Sequence, residues 1–490
     1  VLTNLNSAAK KNSISSSYSS NTLASFLSRL EYKFNNRYLL TLNFRADGSS
    51  QFGPDKRWGY FPSGAVAWII TEENFMKDYS NIVSYLKLRG SVGKTGSQNL
   101  GAYDWRTLMG SATYNGAAGI VPSSLGNDIL QWEEQIQKEV GLDYGFWDDR
   151  IRGTLGYYQK KVDNLLYSDP VPTSSSFSSV YQNIGSLKNR GIEFDVRVDI
   201  IKNAQKDLTW NVDFNIARNR TTLEKLNSSD GYFGGGAYDY FKIEEGGETG
   251  RFYGYKDAGR LFMTNEELVG LKTIDPKTGT LKYYRDDYNY ERQGDVYIMD
   301  LDGDGQITAD GDRTVIGNAN PDFFGGFGST LYWKGLMLNA VFSYSVGGDR
   351  FWDEEKNSSG DMNVYNTSNR ILDSWTVNPG VNASYPRAMY YGWGSNSIIT
   401  DRYIHDASYL RMTALNLSYR LPKHLYKNSI LNAVEFTFQA TNLFTWTKYP
   451  GMDPQGNFST SYSAFYNMGI DYSSYPSART YNLGIKITLK

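Results

Sequence analysis

The sequence contains no cysteine and only two histidines, which removes several kinds of chemistry from consideration. Without cysteine there is no disulfide framework, no thiolate metal site and no cysteine nucleophile. The histidines, His405 and His424, are too far apart in the chain to form a metal-binding pair on one helix. No stretch approaches the roughly 18 consecutive apolar residues of a membrane helix. The composition therefore excludes thiol-based chemistry and a membrane-spanning helix within this sequence.

Charge is also nearly balanced, and aromatic residues and glycine are abundant. The 490 residues carry a formal net charge of −2, so no global electrostatic attraction to nucleic acid is expected. There are 48 glycines, 39 tyrosines, 24 phenylalanines and 11 tryptophans, yet the mean hydropathy is −0.51. This profile is typical of a large β-protein. It also suits a membrane β-barrel, whose strands alternate apolar and polar residues and escape hydropathy scans.

Alternation of apolar and polar residues recurs along the chain and predicts an all-β fold. In "GIEFDVRVDI" (191–200), for example, Ile192, Phe194 and Val196 alternate with charged residues. A period of two places the apolar side chains on one face of a strand. About fourteen strands are expected, near residues 23–34, 38–46, 64–70, 86–92, 130–148, 150–162, 191–200, 210–218, 250–261, 323–334, 336–347, 408–421, 433–441 and 481–490.

The expected connections are unequal in length. "FNNR" (34–37) and "WDDR" (147–150) are tight, whereas long polar connections cover 96–130, 262–322, 349–404 and 447–477. Short turns at one rim and long loops at the other are typical of outer-membrane barrels. A soluble sandwich is the alternative, but its strands usually have about five or six residues. We therefore predict a transmembrane antiparallel β-barrel with the apolar strand faces toward lipid.

Several motifs resemble one family. "DGSSQFG" and "RWGYFPS" within 45–63, "LKLRGSVGKTGSQN" (86–99), "GSLKNRGIEFDV" (185–196) and "ATNLFTWTKYPGMDP" (440–454) are similar to the SusC/RagA-like TonB-dependent transporters of Bacteroidetes outer membranes. The resemblance implies a barrel of twenty-two strands around a plug, of which this chain (1–490) would supply about the last fourteen. The plug, the TonB box and the first strands have no counterpart in this sequence. The stretch 45–63 is then expected to be a structural hairpin connection and strand start.

The resemblance also implies a function that involves no covalent catalysis. The expected activity is import of oligosaccharide across the bacterial outer membrane, with a SusD-like surface lipoprotein and with energy from TonB–ExbB–ExbD acting through the missing N-terminal region. A homodimer of transporter–lipoprotein pairs is a further expectation, and no nucleic acid is involved. Peptide import, a barrel that serves as a non-transporting assembly component, and a soluble glycan-binding protein are the alternatives.

The acidic motif "DLDGDGQITADGD" (300–312), in the expected extracellular loop 262–322, is the sharpest candidate site. Asp300, Asp302 and Asp304, the Gln306 carbonyl and a glycine at the sixth position match the front of an EF-hand-type loop. The twelfth position, which should supply a carboxylate, is Gly311. We therefore predict a structural Ca²⁺ whose shell is completed by either of the residues that flank this glycine, Asp310 or Asp312.

Three other patterns are weaker. "GSVGKTG" (90–96) lacks the first glycine of a phosphate-binding loop. Glu133 and Glu134 are neighbours that would point to opposite faces of a strand, so they cannot act as a glycosidase pair. The aromatic clusters 231–241 and 388–394 could contact sugars or a partner protein, or simply pack within loops.

Overall fold

The protein is represented by a computed structural model. It describes residues 18–490 except 116, 227–231, 235–239, 265–266, 268–272, 275–280, 283–292, 361–366, 378, 381, 389–395, 397, 428–429, 456–467 and 473–474. Two compact units are present. Unit 1 comprises 1–198, 219–232 and 244–247, and unit 2 comprises 199–218, 233–243 and 248–490.

Unit 1 is built from long antiparallel strands with short strand pairs in two of its connections. Its strands are β1 (Leu23–Phe34), β2 (Tyr38–Ser49), β3 (Trp58–Ile69), β4 (Val83–Ser97), β5 (Met109–Tyr114), β6 (Ala117–Pro122), β7 (Glu133–Phe146), β8 (Ile151–Asp163), β9 (Leu166–Pro170), β10 (Ser179–Asn183) and the first part of β11 (Ser186–Asn203). β5 pairs with β6 and β9 with β10, so the long connections have local structure of their own.

The remaining strands belong wholly or mostly to unit 2, and the boundaries between the units fall inside β11 and inside the next three strands. These strands are β12 (Leu208–Lys225), β13 (Tyr232–Gly234), β14 (Lys242–Glu244), β15 (Arg251–Tyr255), β16 (Asp257–Leu261), β17 (Thr273–Ile274), β18 (Leu281–Lys282), β19 (Val296–Ile298), β20 (Arg313–Asn318), β21 (Phe323–Trp333), β22 (Leu336–Val346), β23 (Asp349–Trp352), β24 (Ile404–Asp406), β25 (Tyr409–Arg420), β26 (Leu431–Thr447), β27 (Ile470–Asp471) and β28 (Thr480–Leu489). Short helices lie at Ala309–Asp312 and Asp353–Glu355.

The main sheet confirms thirteen of the fourteen expected strands. Its hydrogen-bonded order is β1-β2-β3-β4-β7-β8-β11-β12-β21-β22-β25-β26-β28. The prediction of a fourteenth strand of this sheet at 250–261 was wrong. These residues form β15 and β16, which pair with β20 and β19 outside the main sheet. Its Phe252 and Leu261 are fully buried in local loop clusters, so their burial does not come from a sheet face.

The register of unit 1 gives its part of the sheet one apolar face. Matched positions on six neighbouring strands form a single row of large apolar side chains, Tyr38, Trp68, Leu88, Leu142, Leu155 and Phe194. Side chains one position away point to the opposite face. There Arg89 forms an ion pair with Asp143 at 3.2 Å, and Lys87 also pairs with Asp143. The period-two alternation seen in the sequence is therefore aligned across strands.

Unit 2 shows the same division between faces. One row across its main-sheet strands is uniformly polar and consists of Asn211, Thr330, Asn339, Asn416, Gln439 and Asn482. Asn416 donates to Asn339 at 3.0 Å, and Asn339 donates to Thr330 at 2.9 Å. The neighbouring row on the opposite face is apolar and consists of Trp210, Leu331, Leu338, Leu417, Phe438 and Leu483.

The predicted inequality of the connections is also confirmed. Residues 35–37 and 147–150 are tight turns in which Asn36 and Asp148 both have φ of 58°. Asparagine and aspartate tolerate this left-handed conformation better than most residues. At the other ends of the strands, the connections 98–132, 226–322, 347–408 and 448–479 are long. Within the described ranges, no helix has the length and apolarity to cross a membrane.

Candidate functional site

The acidic motif forms a compact turn between β19 and β20. Carboxylate oxygens of Asp300, Asp302 and Asp304 all lie within 4.8 Å of one another. Asp300 accepts hydrogen bonds from the amides of Gly303 and Gly305 at 2.7 and 2.8 Å. Gly305, the predicted sixth position, has φ of 81°, a conformation that favours glycine. The structure thus brings together the three carboxylates that the sequence singled out.

Of the two flanking aspartates, Asp312 is the one joined to this turn. Its side chain is fully buried. One carboxylate oxygen accepts from the Leu301 amide and the other from the Thr308 amide, both at 2.7 Å. Asp310 is exposed at the surface. Gln306 contributes its amide, which donates to Asp304 at 2.7 Å, and its carbonyl remains a predicted ligand.

The donor set of this turn fits a hard cation. Ca²⁺ takes six to eight oxygen ligands. The oxygens of the three neighbouring carboxylates, together with the buried Asp312 carboxylate, are therefore suitable ligands. The Asp304 amide donates to Asp302 and works to lower its pKa, yet desolvation and the nearby Asp304 and Asp312 carboxylates raise the pKa of Asp302 overall. In the described part of the chain, none of the three clustered carboxylates has a Lys or Arg ion-pair partner. A bound cation would relieve their mutual repulsion.

The stretch 45–63 is a structural connection, as predicted. β2 ends at Ser49 and β3 begins at Trp58, so eight residues connect them. Phe52 is completely buried in a cluster with Phe61, Leu100, Leu130 and Trp132. The Trp132 indole donates to the Arg57 carbonyl at 2.9 Å. A Cβ on Gly53 would collide with the Asp128 carbonyl, which explains the need for glycine at that position.

In unit 2, a loop after β26 is fastened to the polar face of the sheet by a buried ion pair. Arg411 of β25 donates to Asp453 at 2.6 Å and to the Gln455 amide oxygen at 2.7 Å. The Arg411 and Asp453 side chains are only 5% and 6% exposed. Burial raises the pKa of Asp453, but the hydrogen bonds that its carboxylate accepts, first of all the one from Arg411, hold this pKa below its usual value. The motif "YPGMDP" is therefore part of the packing of this face.

A second network, centred on the buried carboxylate of Glu355, was not foreseen from the sequence. Glu355 accepts from Arg370 at 2.7 Å, and His405 Nε2 lies 2.6 Å from its other carboxylate oxygen. The Arg370 guanidinium lies 4.4 Å from the centre of the Trp352 ring. Tyr385 also donates to Glu355, and desolvation, followed by the Glu355 charge, raises the pKa of Tyr385. No periodicity links these positions, so the sequence carried no local signal for the cluster.

A polar pocket of about 360 Å³ lies in unit 2, and one of its wall residues, Arg350, is paired with His405 across two strands. Its walls include Ser345, Arg350, Tyr409, Gln455 and three glycines with positive φ, at 347, 348 and 469. Burial lowers the pKa of the Arg350 guanidinium. Asp349 is also part of the lining, which can form hydrogen bonds with hydroxyl or amide groups of a solute.

The weaker candidates take structural positions. Lys94 of "GSVGKTG" lies in β4 and pairs with Glu134 at 2.6 Å, so this segment is a strand, as the sequence indicated. Glu133 accepts from the Leu166 amide at 3.3 Å. Of the aromatic clusters, residues 231, 235–239 and 389–394 lie outside the described residues. Tyr240 and Phe241 are buried with Phe252 and Phe351, which favours loop packing for that part.

Comparison with known proteins gives consistent results. Residues 2–443 match the family described as "TonB dependent receptor-like, beta-barrel". The chain is 33% identical over 495 residues to TonB-dependent receptor P3 of Formosa agariphila, covering 96% of this chain and 46% of that protein. It is 32% identical over 483 residues to TonB-dependent receptor SusC of Bacteroides thetaiotaomicron, covering 95% and 44%.

Solved structures show the same similarity. A structure of the RagAB peptide transporter superimposes with a TM-score of 0.76 and 25% identity, covering 97% of this chain and 49% of the matched chain. The RagAB peptide importer in a closed state gives a TM-score of 0.74 and 27% identity, covering 95% and 47%. The chain therefore spans about half the length of the relatives that it matches.

Proposed function

Because the chain belongs to the TonB-dependent receptor-like β-barrel family, we propose that it forms part of the barrel of an importer that takes up an oligomeric nutrient. Members of this family are outer-membrane transporters rather than enzymes. The chain is accordingly an outer-membrane protein, and its apolar strand faces meet lipid. The opposite, polar faces line the substrate route in this proposal.

Oligosaccharide is the proposed substrate class. The observation that carries this choice is the polar row of unit 2, in which six neighbouring strands present amides and one hydroxyl at the same level. Amides both donate and accept hydrogen bonds, as sugar hydroxyls require, and they impose no charge preference. A neutral oligosaccharide could pass from one hydrogen-bonding side chain of this row to the next, because no charged group would bind it strongly.

Peptide is the second candidate substrate. It is supported by the similarity to structures named as the RagAB peptide transporter. The polar pocket of unit 2 could hold backbone amides of a peptide, since its walls include the polar side chains of Ser345, Tyr409 and Gln455.

Uptake by intact cells tests the function and separates the two substrates. Cells with and without the full-length gene would be given a fluorescently labelled oligosaccharide pool or a fluorescently labelled peptide pool. We expect gene-dependent uptake of oligosaccharide that is abolished by a protonophore, because TonB draws on the proton gradient. Gene-dependent uptake of peptide alone would establish the second candidate. Absence of both would favour a non-transporting role in a membrane assembly.

The partners proposed for the complete protein follow from its family. They are a SusD-like surface lipoprotein, the TonB–ExbB–ExbD complex and outer-membrane lipid, with a homodimer of transporter–lipoprotein pairs as the assembly. Relatives named SusC and RagAB support this proposal. Co-purification of the full-length tagged protein from its native membrane would test it.

We also propose that Ca²⁺ binds the acidic turn through Asp300, Asp302, Asp304 and the Gln306 carbonyl, with Asp312 completing the shell. The ion would stabilise the turn and take no part in transport chemistry. Limited proteolysis with Ca²⁺ or with EDTA tests this: cleavage within 293–318 should accelerate in EDTA. Asp302→Asn should show the fast rate in both conditions, while Asp310→Asn, at the exposed position, serves as the matched control. Equal rates for the unmodified protein in both buffers would contradict Ca²⁺ binding.

A further inference from the structure

The apolar face of unit 1 contains a groove of about 630 Å³. Leu40 and Val66 form one wall, and Val140 and Tyr157 form the other. Gly90 lies between them in the same row of matched strand positions. Because glycine has no side chain, this row of large residues is interrupted at its centre. Gly64 widens the gap in the next row. The groove therefore exists because two glycines leave part of an otherwise side-chain-covered face bare.

The two ends of the groove differ in chemistry. Toward the tight turns it is closed by the apolar row that contains Trp68, Leu88 and Leu142. Toward the long connections, the row with Gly64 continues through Val92, Lys138, Gln159 and Arg190. One end is therefore hydrocarbon-like, and the other carries two cations.

These two cations differ from the neighbouring ones. Lys94 is paired with Glu134 at 2.6 Å, and Lys188 is paired with Glu224 at 3.0 Å. Lys138 and Arg190 are exposed, and within the described ranges neither forms an ion pair. On a face that meets lipid, a cation is stable where it reaches an anionic head group. Long connections of outer-membrane barrels lie on the extracellular side, so this end of the groove is at the outer leaflet.

We propose that the groove holds an acyl chain of a phosphorylated outer-leaflet lipid, whose phosphate is bound by Lys138 and Arg190. The chain fills the gap over Gly90 and Gly64, and the phosphate neutralises the two cations. Charge complementarity at one end and an apolar floor at the other select an amphiphile over a free anion. The site is distinct from the substrate route, because it lies on the opposite face of the sheet.

The structure offers closely matched variants for a test. A Cβ on Gly90 would have its nearest contact, the Glu139 carbonyl, at 3.9 Å, so Gly90→Val fills the groove without a backbone collision. Gly156 lies on the polar face of the same sheet, and a Cβ there would meet nothing within 4 Å. Gly156→Val is therefore the control. Gly64→Ala, whose nearest contact would be Leu42 at 3.4 Å, is a second groove-filling variant in case Gly90→Val does not fold.

The experiment is native mass spectrometry of the delipidated full-length transporter, titrated with phosphatidic acid or with diacylglycerol of identical chains. We expect the unmodified protein to bind phosphatidic acid about tenfold more tightly than diacylglycerol, and Lys138→Gln with Arg190→Gln to remove that preference. Gly90→Val should weaken both ligands, and Gly156→Val should change neither. A thermal melt of each variant confirms folding.

Three results would overturn the proposal. If the unmodified protein and all variants bound phosphatidic acid equally, the bound molecules would be nonspecific surrounding lipid. A dimer of the full-length protein that dissociates in Gly90→Val, with unchanged lipid binding, would assign the groove to a second copy of the chain. Binding of glycerol 3-phosphate as tightly as phosphatidic acid would also contradict it, because the acyl chain would then contribute nothing.

Discussion

At the scale of single residues, Glu73 shows how one side chain can order the turn end of two strands. It accepts from the Tyr38 hydroxyl at 2.6 Å, from the Trp68 indole at 3.1 Å and from Arg37 at 3.0 Å. The hydrogen bond from Tyr38 lowers the pKa of Glu73 most, and desolvation works against it. The Trp68 indole and the Arg37 charge add to the lowering, so the pKa lies below the usual 4.5. Aromatic residues with such polar contacts are typical of membrane interfaces.

Replacing Glu73 should therefore have a pH-dependent effect. A carboxylate with a depressed pKa stabilises the folded state above its unfolded pKa, and this contribution is lost as the pH falls through the folded value. Glu73→Gln should lower the melting temperature at pH 7, and the difference from the unmodified protein should shrink below pH ~4. Thermal melts in detergent across this range measure it, with the neighbouring Glu72→Gln as control. A difference that is constant with pH would contradict the assignment.

The Arg411–Asp453 pair gives a second prediction at this scale. Arg411→Met leaves the buried Asp453 carboxylate without its cation, which typically costs about 3–5 kcal/mol. The double variant Arg411→Met, Asp453→Asn removes both charges and should cost less than the sum of the single changes, because the residues are directly coupled. Protease susceptibility of the loop 448–455 and denaturant unfolding would measure this. Additive effects would show that the pair is not coupled.

The residues of the candidate sites differed in how far they could be predicted. Asp300, Asp302 and Asp304 were identified because a loop of consecutive residues fixes their mutual distances. The choice between Asp310 and Asp312 could not be made, since it depends on how the chain returns after Gly311. Glu355, Arg370, Tyr385 and His405 come from separate segments, and only the folded loops bring them together.

At the scale of strands, the two-residue period predicted the main sheet well because one apolar face and one polar face repeat on every long strand. The period fails locally at a bulge. In β25, Leu410 and Met412 share a face with Leu415 and Leu417, because the register shifts between Met412 and Ala414. A bulge inserts one residue and re-aims the side chains that follow. Such a change of parity cannot be read from alternation alone.

The lipid-facing assignment yields a prediction for whole strands. Phe194, Val196, Val198, Trp210, Val212, Phe214, Phe436, Phe438, Ile485 and Ile487 are predicted to face lipid. Val196→Arg should cost about 2–4 kcal/mol near the bilayer midplane, while Asp195→Asn on the other face should be tolerated. Folding titrations of the full-length protein into lipid vesicles would measure both. Tolerance of Val196→Arg with loss of insertion for Asp195→Asn would invert the assignment.

At the scale of the whole molecule, the edge strand β1 leads to a prediction. It pairs with β2 on one side, and all twelve of its residues are exposed. Each unpaired amide or carbonyl in hydrocarbon costs several kcal/mol, so a membrane strand needs a neighbour on both sides. In the full-length protein we expect another strand, different from β28, to pair with residues 23–34. An experimental structure checks this, and an empty pore in which β28 pairs directly with β1 would contradict it.

The spacing of two aromatic residues in unit 1 indicates the bilayer thickness that the protein matches. Tyr60 and Trp68, on one face of β3, are eight positions apart, which is about 26 Å along a strand at ~3.3 Å per residue. A strand tilt of ~40° reduces this to roughly 20 Å of depth. The hydrocarbon of an ordinary bilayer is about 30 Å thick, whereas the bacterial outer membrane is thinner than average. Synthetic bilayers of short-chain lipids should therefore accept the protein with less distortion than those of long-chain lipids, which would have to thin around it.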